Sequence, residues 1–337
     1  MTRHSSRQRG IALIIVLMVV AFVAILGTEM GQRLQLQIQR TANIKDSNQA
    51  YWYALGAEQY AKKSIKLLID QANGVIHLNQ PWSKQFLYPL DGGGIQADLV
   101  DMQSCFNLNA LAQPPGSGND QQANQNATAS TPAMNAFHRL LLTRDLIPEM
   151  DSFTADTVRD SLADWLDEDD NLRGFGAEDR DYESLPAPYL AANTLMVNKS
   201  ELRLVNGVSA QWINALMPLV CALPGQGVMR LNVNTMTDEQ APVLAAVTGM
   251  DVAQAKRLIA SRPLDGYQDK SEFLAEPDIS ALSLTSVEKD WFDVTTEYFI
   301  LYTKTRYNNA SFSMSSVFHV DGTNKISVIR REFGGKY

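Results

Sequence analysis

Seventeen residues without a charge, Ile11 to Gly27 (IALIIVLMVVAFVAILG), constrain this 337-residue chain more than any other feature. The ten residues before them carry Arg3, Arg7 and Arg9 and no acid. As a helix the run spans roughly 26 Å, just short of a hydrocarbon core of about 30 Å. A basic flank stays on the cytoplasmic side, so the remainder of the chain is expected to be exported.

Two processing readings compete for this segment. A secretory signal is cut after a small-x-small pattern at the far end of the apolar run. Here a cut after Ala24 leaves Phe22 at −3, and a cut after Gly27 leaves Ile25 there. The other reading is a prepilin-type leader, a short basic peptide ending in Gly whose apolar helix survives cleavage. It is cut between Gly10 and Ile11. Continuity favours it, because the run passes without a break into helix-compatible sequence as far as Ala72, before Asn73-Gly74. One helix over Ile11–Ala72 would be roughly 90 Å long.

Beyond the helix the pattern changes twice. Phe86–Leu90, a DGGG turn (Asp91–Gly94) and Ile95–Leu108 read as a hairpin. Residues Ala112–Pro132, rich in Gln, Asn, Pro and Ser, read as a surface loop or linker. Met134–Leu284 is helical in pattern with repeated proline breaks. Phe292–Tyr302, Ala310–Val320 and Lys325–Phe333 read as strands around the turn at Asp321–Asn324. The order helix, strands, helical block, strands predicts an α+β fold: a long N-terminal helix packed on an antiparallel sheet, interrupted by a large inserted α-helical domain. An internal echo, Cys105-FNLNAL against Arg230-LNVNTM, marks the insert's boundaries, the second N-x-N being expected to open a helix with an Asn or Thr cap.

Asp151–Ser184 holds twelve acids against three arginines, and its net charge of −9 accounts for the −8 of the whole chain. Such a cluster repels itself unless cations compensate it. Asp167, Asp169, Asn171 and Glu178 fall at positions 1, 3, 5 and 12 of an EF-hand-like loop, the alternation by which a tight loop offers calcium its hard oxygens. Leu172 stands where an EF-hand needs glycine, so this is not an EF-hand. A calcium loop of its own design, with Asp164, Asp170 and Asp179 as further ligands, stands against a solvated acidic loop.

Other chemistry is sparse. Gly116-Ser117-Gly118 lies in the linker, and no G-x-S-x-G, H-E-x-x-H or P-loop occurs, so an enzyme is not expected. Thr248-Gly249-Met250-Asp251 joins two short helical runs within 231–285, resembling a helix-hairpin-helix or SAM-like module. Such modules often grip DNA phosphates, but Asp238, Glu239, Asp251, Asp265 and Asp269 oppose that use, and a protein contact is the better reading. In an exported chain Cys105 and Cys221 favour a disulfide over two buried thiols. Trp165, Tyr182, Tyr189 and Trp212 are read as core of the insert.

The leader RQRG before IALIIVLMVV, the segment Asp164–Gly207 (DWLDEDDNLRGFGAEDRDYESLPAPYLAANTLMVNKSELRLVNG) and the LNVNTMT block resemble the type II secretion minor pseudopilin K family over nearly the whole chain. The resemblance implies cleavage after Gly10 by prepilin peptidase and N-methylation of Ile11. It also implies a single-pass inner-membrane anchor (11–32) and a periplasmic pilin-like core (33–111 and 286–337) carrying an α-domain insert (112–285). Calcium is implied on the acids of the Asp164–Asp181 motif, for which Asp164, Asp167, Asp169, Asn171, Glu178 and Asp179 are the candidates. The implied partners are minor pseudopilins I and J at the pseudopilus tip and, through them, H and the major pseudopilin. One departure is informative: ordinary pilins carry Glu at the fifth mature position, and here that position is Ile15. Without an acid to pair with a neighbour's terminal amine inside lipid, the subunit suits ending a filament better than continuing it. The alternative is a membrane-anchored, competence-like DNA-binding protein. Loss of the leader would take the net charge to −11, so no nucleic-acid partner is expected.

Overall fold

The computed structural model describes residues 9–112 and 130–334. Most of the leader and the Gly116-Ser117-Gly118 segment lie outside the described residues. The first element, α1 (Arg9–Gln71), is a single 63-residue helix, two residues longer at its start than the sequence pattern suggests and one shorter at its end. Every residue from Ile11 to Lys45 is exposed. From Ala50 the helix acquires a buried face, Ala50, Ala54, Ala57, Glu58, Ala61, Ile65 and Leu68, at the three- and four-residue spacing of one helix stripe. Its four alanines leave room for the helix axis to lie close on a sheet.

Among the described residues nine strands follow: β1 (Phe86–Leu90), β2 (Gly93–Asp101), β3 (Phe106–Asn107), β4 (Val220–Cys221), β5 (Leu231–Asn232), β6 (Phe292–Asp293), β7 (Tyr298–Tyr307), β8 (Ala310–Val320) and β9 (Ile326–Phe333). The main sheet is antiparallel throughout, in the order β1-β2-β7-β8-β9. Its strands lie side by side in chain order, yet β2 and β7 are separated in sequence by the whole helical block. Asp91-Gly92 closes the first hairpin with Gly92 at φ +80°. Gly93 follows, where a Cβ would sit 2.0 Å from the Arg306 carbonyl oxygen of β7, so only glycine permits that pairing. Sequence periodicity ends the third main strand at Tyr302; the structure carries it to Tyr307, because the exposed Lys304 and Arg306 alternate with the buried Thr303 and Thr305.

A buried pair fixes the helix on the sheet. Glu58 of α1 is fully buried and accepts from Arg331 Nε (2.6 Å) and Nη2 (2.9 Å) on β9, and from Ser316 Oγ (2.7 Å) on β8. Burial pushes the Glu58 carboxyl up, but those hydrogen bonds outweigh it and leave its pKa below the ordinary value. Ile65, Leu68, Trp82, Phe299, Leu301 and Phe318 close the apolar layer between α1 and the sheet.

The helical block builds a larger core of its own from α2 (Pro132–Leu141), α3 (Ser152–Leu166), α4 (Asp179–Glu183), α5 (Ile213–Leu216), α6 (Ala241–Thr248), α7 (Val252–Ser261), α8 (Lys270–Leu274), α9 (Pro277–Ser280) and α10 (Ser286–Asp290). Trp165 and Tyr182 are buried in it, with Tyr189 and Trp212 packed against it. Much of the block between the helices is turn and 3-10 structure, a consequence of the prolines. Cys105 and Cys221 form a disulfide, with Cα atoms 5.9 Å apart.

Candidate functional site

The acidic segment folds around its own arginine. Asp151 caps α3 by accepting from Thr154 N–H (2.9 Å), and Asp164, on the last turn of α3, is wholly buried. Arg173 Nη1 donates to Asp164 Oδ1 (2.7 Å) and also pairs with Asp167 Oδ2, while the Arg173 amide donates to Asp164 Oδ2 (3.2 Å). Gly176 is required beside them, since a Cβ there would lie 1.7 Å from Asp164 Oδ2. Asp160 Oδ2 accepts from the Phe175 amide (3.2 Å), so the loop after α3 is sewn back along the helix that precedes it.

One cation does not satisfy this cluster. Glu178 is only 6% exposed, and neither of its carboxyl oxygens has a hydrogen-bond partner. Asp167 Oδ1 and Asn193 Oδ1 are likewise buried and unpartnered. Burial first, then the charges of Asp164, Asp167, Asp170 and Asp179, push the Glu178 carboxyl up to about 8. Burial also raises Asp164 to about 6 against the opposing hydrogen bonds from Arg173. A buried acceptor without a donor costs free energy, so this arrangement has room for something that supplies positive charge.

The six sequence candidates divide. Asp164, Asp167 and Glu178 belong to the buried cluster. Asp169 and Asn171 are exposed, and their alternate spacing forms a local turn in which Asn171 N–H donates to Asp169 Oδ1 (2.9 Å). Asp179 Oδ1 accepts from the Ala191 amide (2.9 Å), which draws the 190s segment toward the cluster. Asn193, absent from the sequence candidates, arrives by that route, and its Nδ2 donates to Asp170 Oδ1 (3.2 Å). Its φ is +44°, in the left-handed region that Asn tolerates better than most residues, a feature visible only in the fold. Among the described residues no three Asp, Glu, His or Cys side chains are gathered so that they could by themselves hold a metal ion, so any ion here would draw on fewer carboxylates together with the Asn193 amide oxygen. Apart from Arg173 Nε, the unpartnered atoms of the cluster are carboxylate and amide oxygens, which is the donor chemistry of a hard divalent cation such as calcium. The residues present fit that group.

The two N-x-N motifs carry structure rather than helix caps. Asn107 lies on β3, which pairs in parallel with β4, and Asn232 lies on β5, which pairs in parallel with β6. In each, the first Asn accepts from the amide two residues on, Asn109 N–H (3.3 Å) or Asn234 N–H (3.0 Å). The second Asn then clamps a distant peptide. Asn109 accepts from Met196 N–H (2.8 Å) and donates to its carbonyl (3.0 Å), and Asn234 does the same to Tyr267 (2.8 and 2.9 Å). The helix expected after the second motif is instead opened at Thr237, whose hydroxyl accepts from Glu239 N–H (3.3 Å). All four asparagines are fully buried. Asp101, at the end of β2, ties the sheet to this seam by accepting from Asn232 Nδ2 (2.9 Å), Thr235 Oγ1 (2.6 Å) and Gln103 N–H (2.6 Å). Burial nevertheless raises its pKa to about 6.

The hairpin between α6 and α7 turns at Gly249 (φ +79°), and Asp251 caps α7 by accepting from Gln254 N–H (2.7 Å). A carboxylate therefore already fills the helix end that would receive a phosphate. Of the processing residues, Gly10 and Ile11 fall in the first turns of α1, and Ile15 is exposed on it.

Known proteins place this architecture. Two family models, both described as type II secretion system (T2SS) protein K, match residues 104–225 and 231–295. These limits bracket the two parallel seams, the first running from β3 to β4 and the second from β5 to β6. The type II secretion system protein K of Aeromonas hydrophila is 34% identical, covering 98% of both chains. That of Pseudomonas aeruginosa is 32% identical, covering 97% of this chain and 93% of its own. The crystal structure of the GspK-GspI-GspJ complex from the enterotoxigenic Escherichia coli type 2 secretion system contains a chain matched with a TM-score of 0.75 at 30% identity. The match covers 88% of this chain and 100% of that one.

Proposed function

Because the chain belongs to the type II secretion system protein K family, and is therefore a minor pseudopilin, we propose that it caps and initiates the periplasmic pseudopilus in a complex with minor pseudopilins I and J. The observation that carries this reading is α1: its first 35 residues after Gly10 bury nothing, while its second half is committed to the sheet. A helix exposing an apolar surface of that size needs lipid and neighbouring helices. Ile11–Gly27 would serve as a single inner-membrane span with the body in the periplasm. Removal of the leader after Gly10 by prepilin peptidase would free Ile11 as the methylated first residue. With Ile15 where other pilins place an acid, the subunit has no group to accept a following subunit's amine, which suits a terminal position.

Calcium belongs to the same proposal. Asp167, Glu178 and Asn193 would hold the ion through their unpartnered oxygens, with Asp170 at the edge, and the bound ion would neutralise carboxylates that otherwise repel one another. Asp164 would stay on Arg173, and Asp169, Asn171 and Asp179 would shape the loop. The test of the assembly reading is co-purification: the protein expressed with its cognate minor pseudopilins I and J should elute with both as one complex. Failure to associate with either would remove the tip assignment.

A further inference from the structure

We propose that Arg173 is the positioning residue of the calcium site, holding both oxygens of Asp164 and the Oδ2 of Asp167 so that Asp167 Oδ1 and both oxygens of Glu178 stay free for the ion. The inference rests on the calcium reading above. Three carboxylates are withdrawn from water here: Asp164 is fully buried, Glu178 is 6% exposed, and Asp167 keeps 16% of its side-chain surface. Arg173, itself buried, is the only cation paired with any of them among the described residues. With all three ionised the deficit is two positive charges, what one divalent ion would supply.

Arg173 and the ion are co-resident rather than competitors. Were the ion to expel the guanidinium, Asp164 would be left as an unpaired charge in the interior, a state far more costly than the pair. Asp164 cannot follow the ion either: the Arg173 amide fixes its Oδ2 and the Gly176 backbone passes against it. The division of oxygens matches this logic. Asp167 gives Oδ2 to Arg173 and keeps Oδ1 unpartnered, and the Glu178 carboxylate, which faces the Asp181 amide in a capping-box arrangement at the start of α4, receives no full hydrogen bond.

The experiment is a calcium and terbium titration of the full-length protein in detergent, with terbium emission sensitised through the Trp165–Tyr182 pair, whose ring centroids lie 5.3 Å apart. Coulomb repulsion alone predicts that removing a neighbouring positive charge tightens cation binding. Positioning predicts the reverse: R173Q and R173K should both bind calcium roughly 10–100-fold more weakly, the usual cost of losing the group that orients a ligand. Their terbium lifetimes should shorten as an extra water enters the shell. R180Q, which removes an exposed arginine of the same segment, should bind no more weakly than wild type. Wild-type affinity in R173K, or tighter binding in R173Q, overturns the positioning role and leaves the calcium reading standing. Unchanged binding in E178Q places the ion elsewhere and overturns the proposal. No saturable binding by wild type overturns both.

Discussion

Glu58 and Arg331 show what one residue contributes to holding the rod on the body. Glu58 is fully buried and its partner half-exposed, so Arg331→Ala leaves a carboxylate in the interior with only the Ser316 hydroxyl and a long contact from Gln59 Nε2 (3.4 Å) as donors. Loss of about 3 kcal/mol is expected, the lower end of the range for breaking a buried pair, and is read from denaturant unfolding. Asp101 sets a pH dependence. Its folded pKa of about 6 lies above the ordinary 3.8, so the folded state holds a proton that the unfolded chain has released. The resulting stability is fully present below pH 3.8 and is lost as pH rises through 6. Melting temperature against pH should therefore carry a downward component across that window that Asp101→Asn lacks, although the variant, with an amide facing the Asn232 donor, melts lower throughout. At this scale the sequence named the acids but not their partners. Asp164, Asp167 and Glu178 were legible as a cluster. Arg173 reaches Asp164 only because Gly176 lets the loop turn back, and Asn193 arrives through the Asp179–Ala191 bond.

Among the elements, the two parallel seams tie together the ends of the chain segments that build the helical block, 107–220 and 232–292. The disulfide adjoins the first, joining the chain at β3 to β4 over a separation of 116 residues. Cys105→Ser with Cys221→Ser should lower stability by up to roughly 4–5 kcal/mol in the chain-entropy model, visible as a fall in melting temperature that reductant reproduces in wild type. Asn234→Ala removes both hydrogen bonds to the Tyr267 peptide and leaves its buried N–H and C=O unsatisfied. A cost of roughly 2–6 kcal/mol follows, two such groups at about 1–3 each, with amide exchange near Tyr267 rising first. Here the sequence was a partial guide. The N-x-N repeat announced that the two places were alike, and periodicity cannot tell a helix cap from a clamp on a peptide 33 or 87 residues away. Helix α1 was the most legible element, because its signal is local and long. The third main strand was cut short because its outer half is polar on the exposed face.

For the whole molecule, the order of elements was enough to anticipate a sheet interrupted by a helical block, since β2 and β7 both carry strand patterns and the intervening sequence does not. Mass spectrometry of the protein extracted from membranes should give a chain beginning at Ile11 with one added methyl group. A mature terminus beyond Gly27 would contradict the retained anchor. The proportions of α1 have a further consequence. If lipid ends near Met30, residues 31–45 form a bare stem of about 22 Å before the first contact with the body, where Asp46 accepts from Asn308 Nδ2 (3.2 Å). Headgroups occupy only about 5–8 Å of that height. The globular part thus stands off from the bilayer on a stilt, over a gap tall enough for other chains to pass beneath, and whatever pushes upward from the membrane must meet the stem before it meets the body.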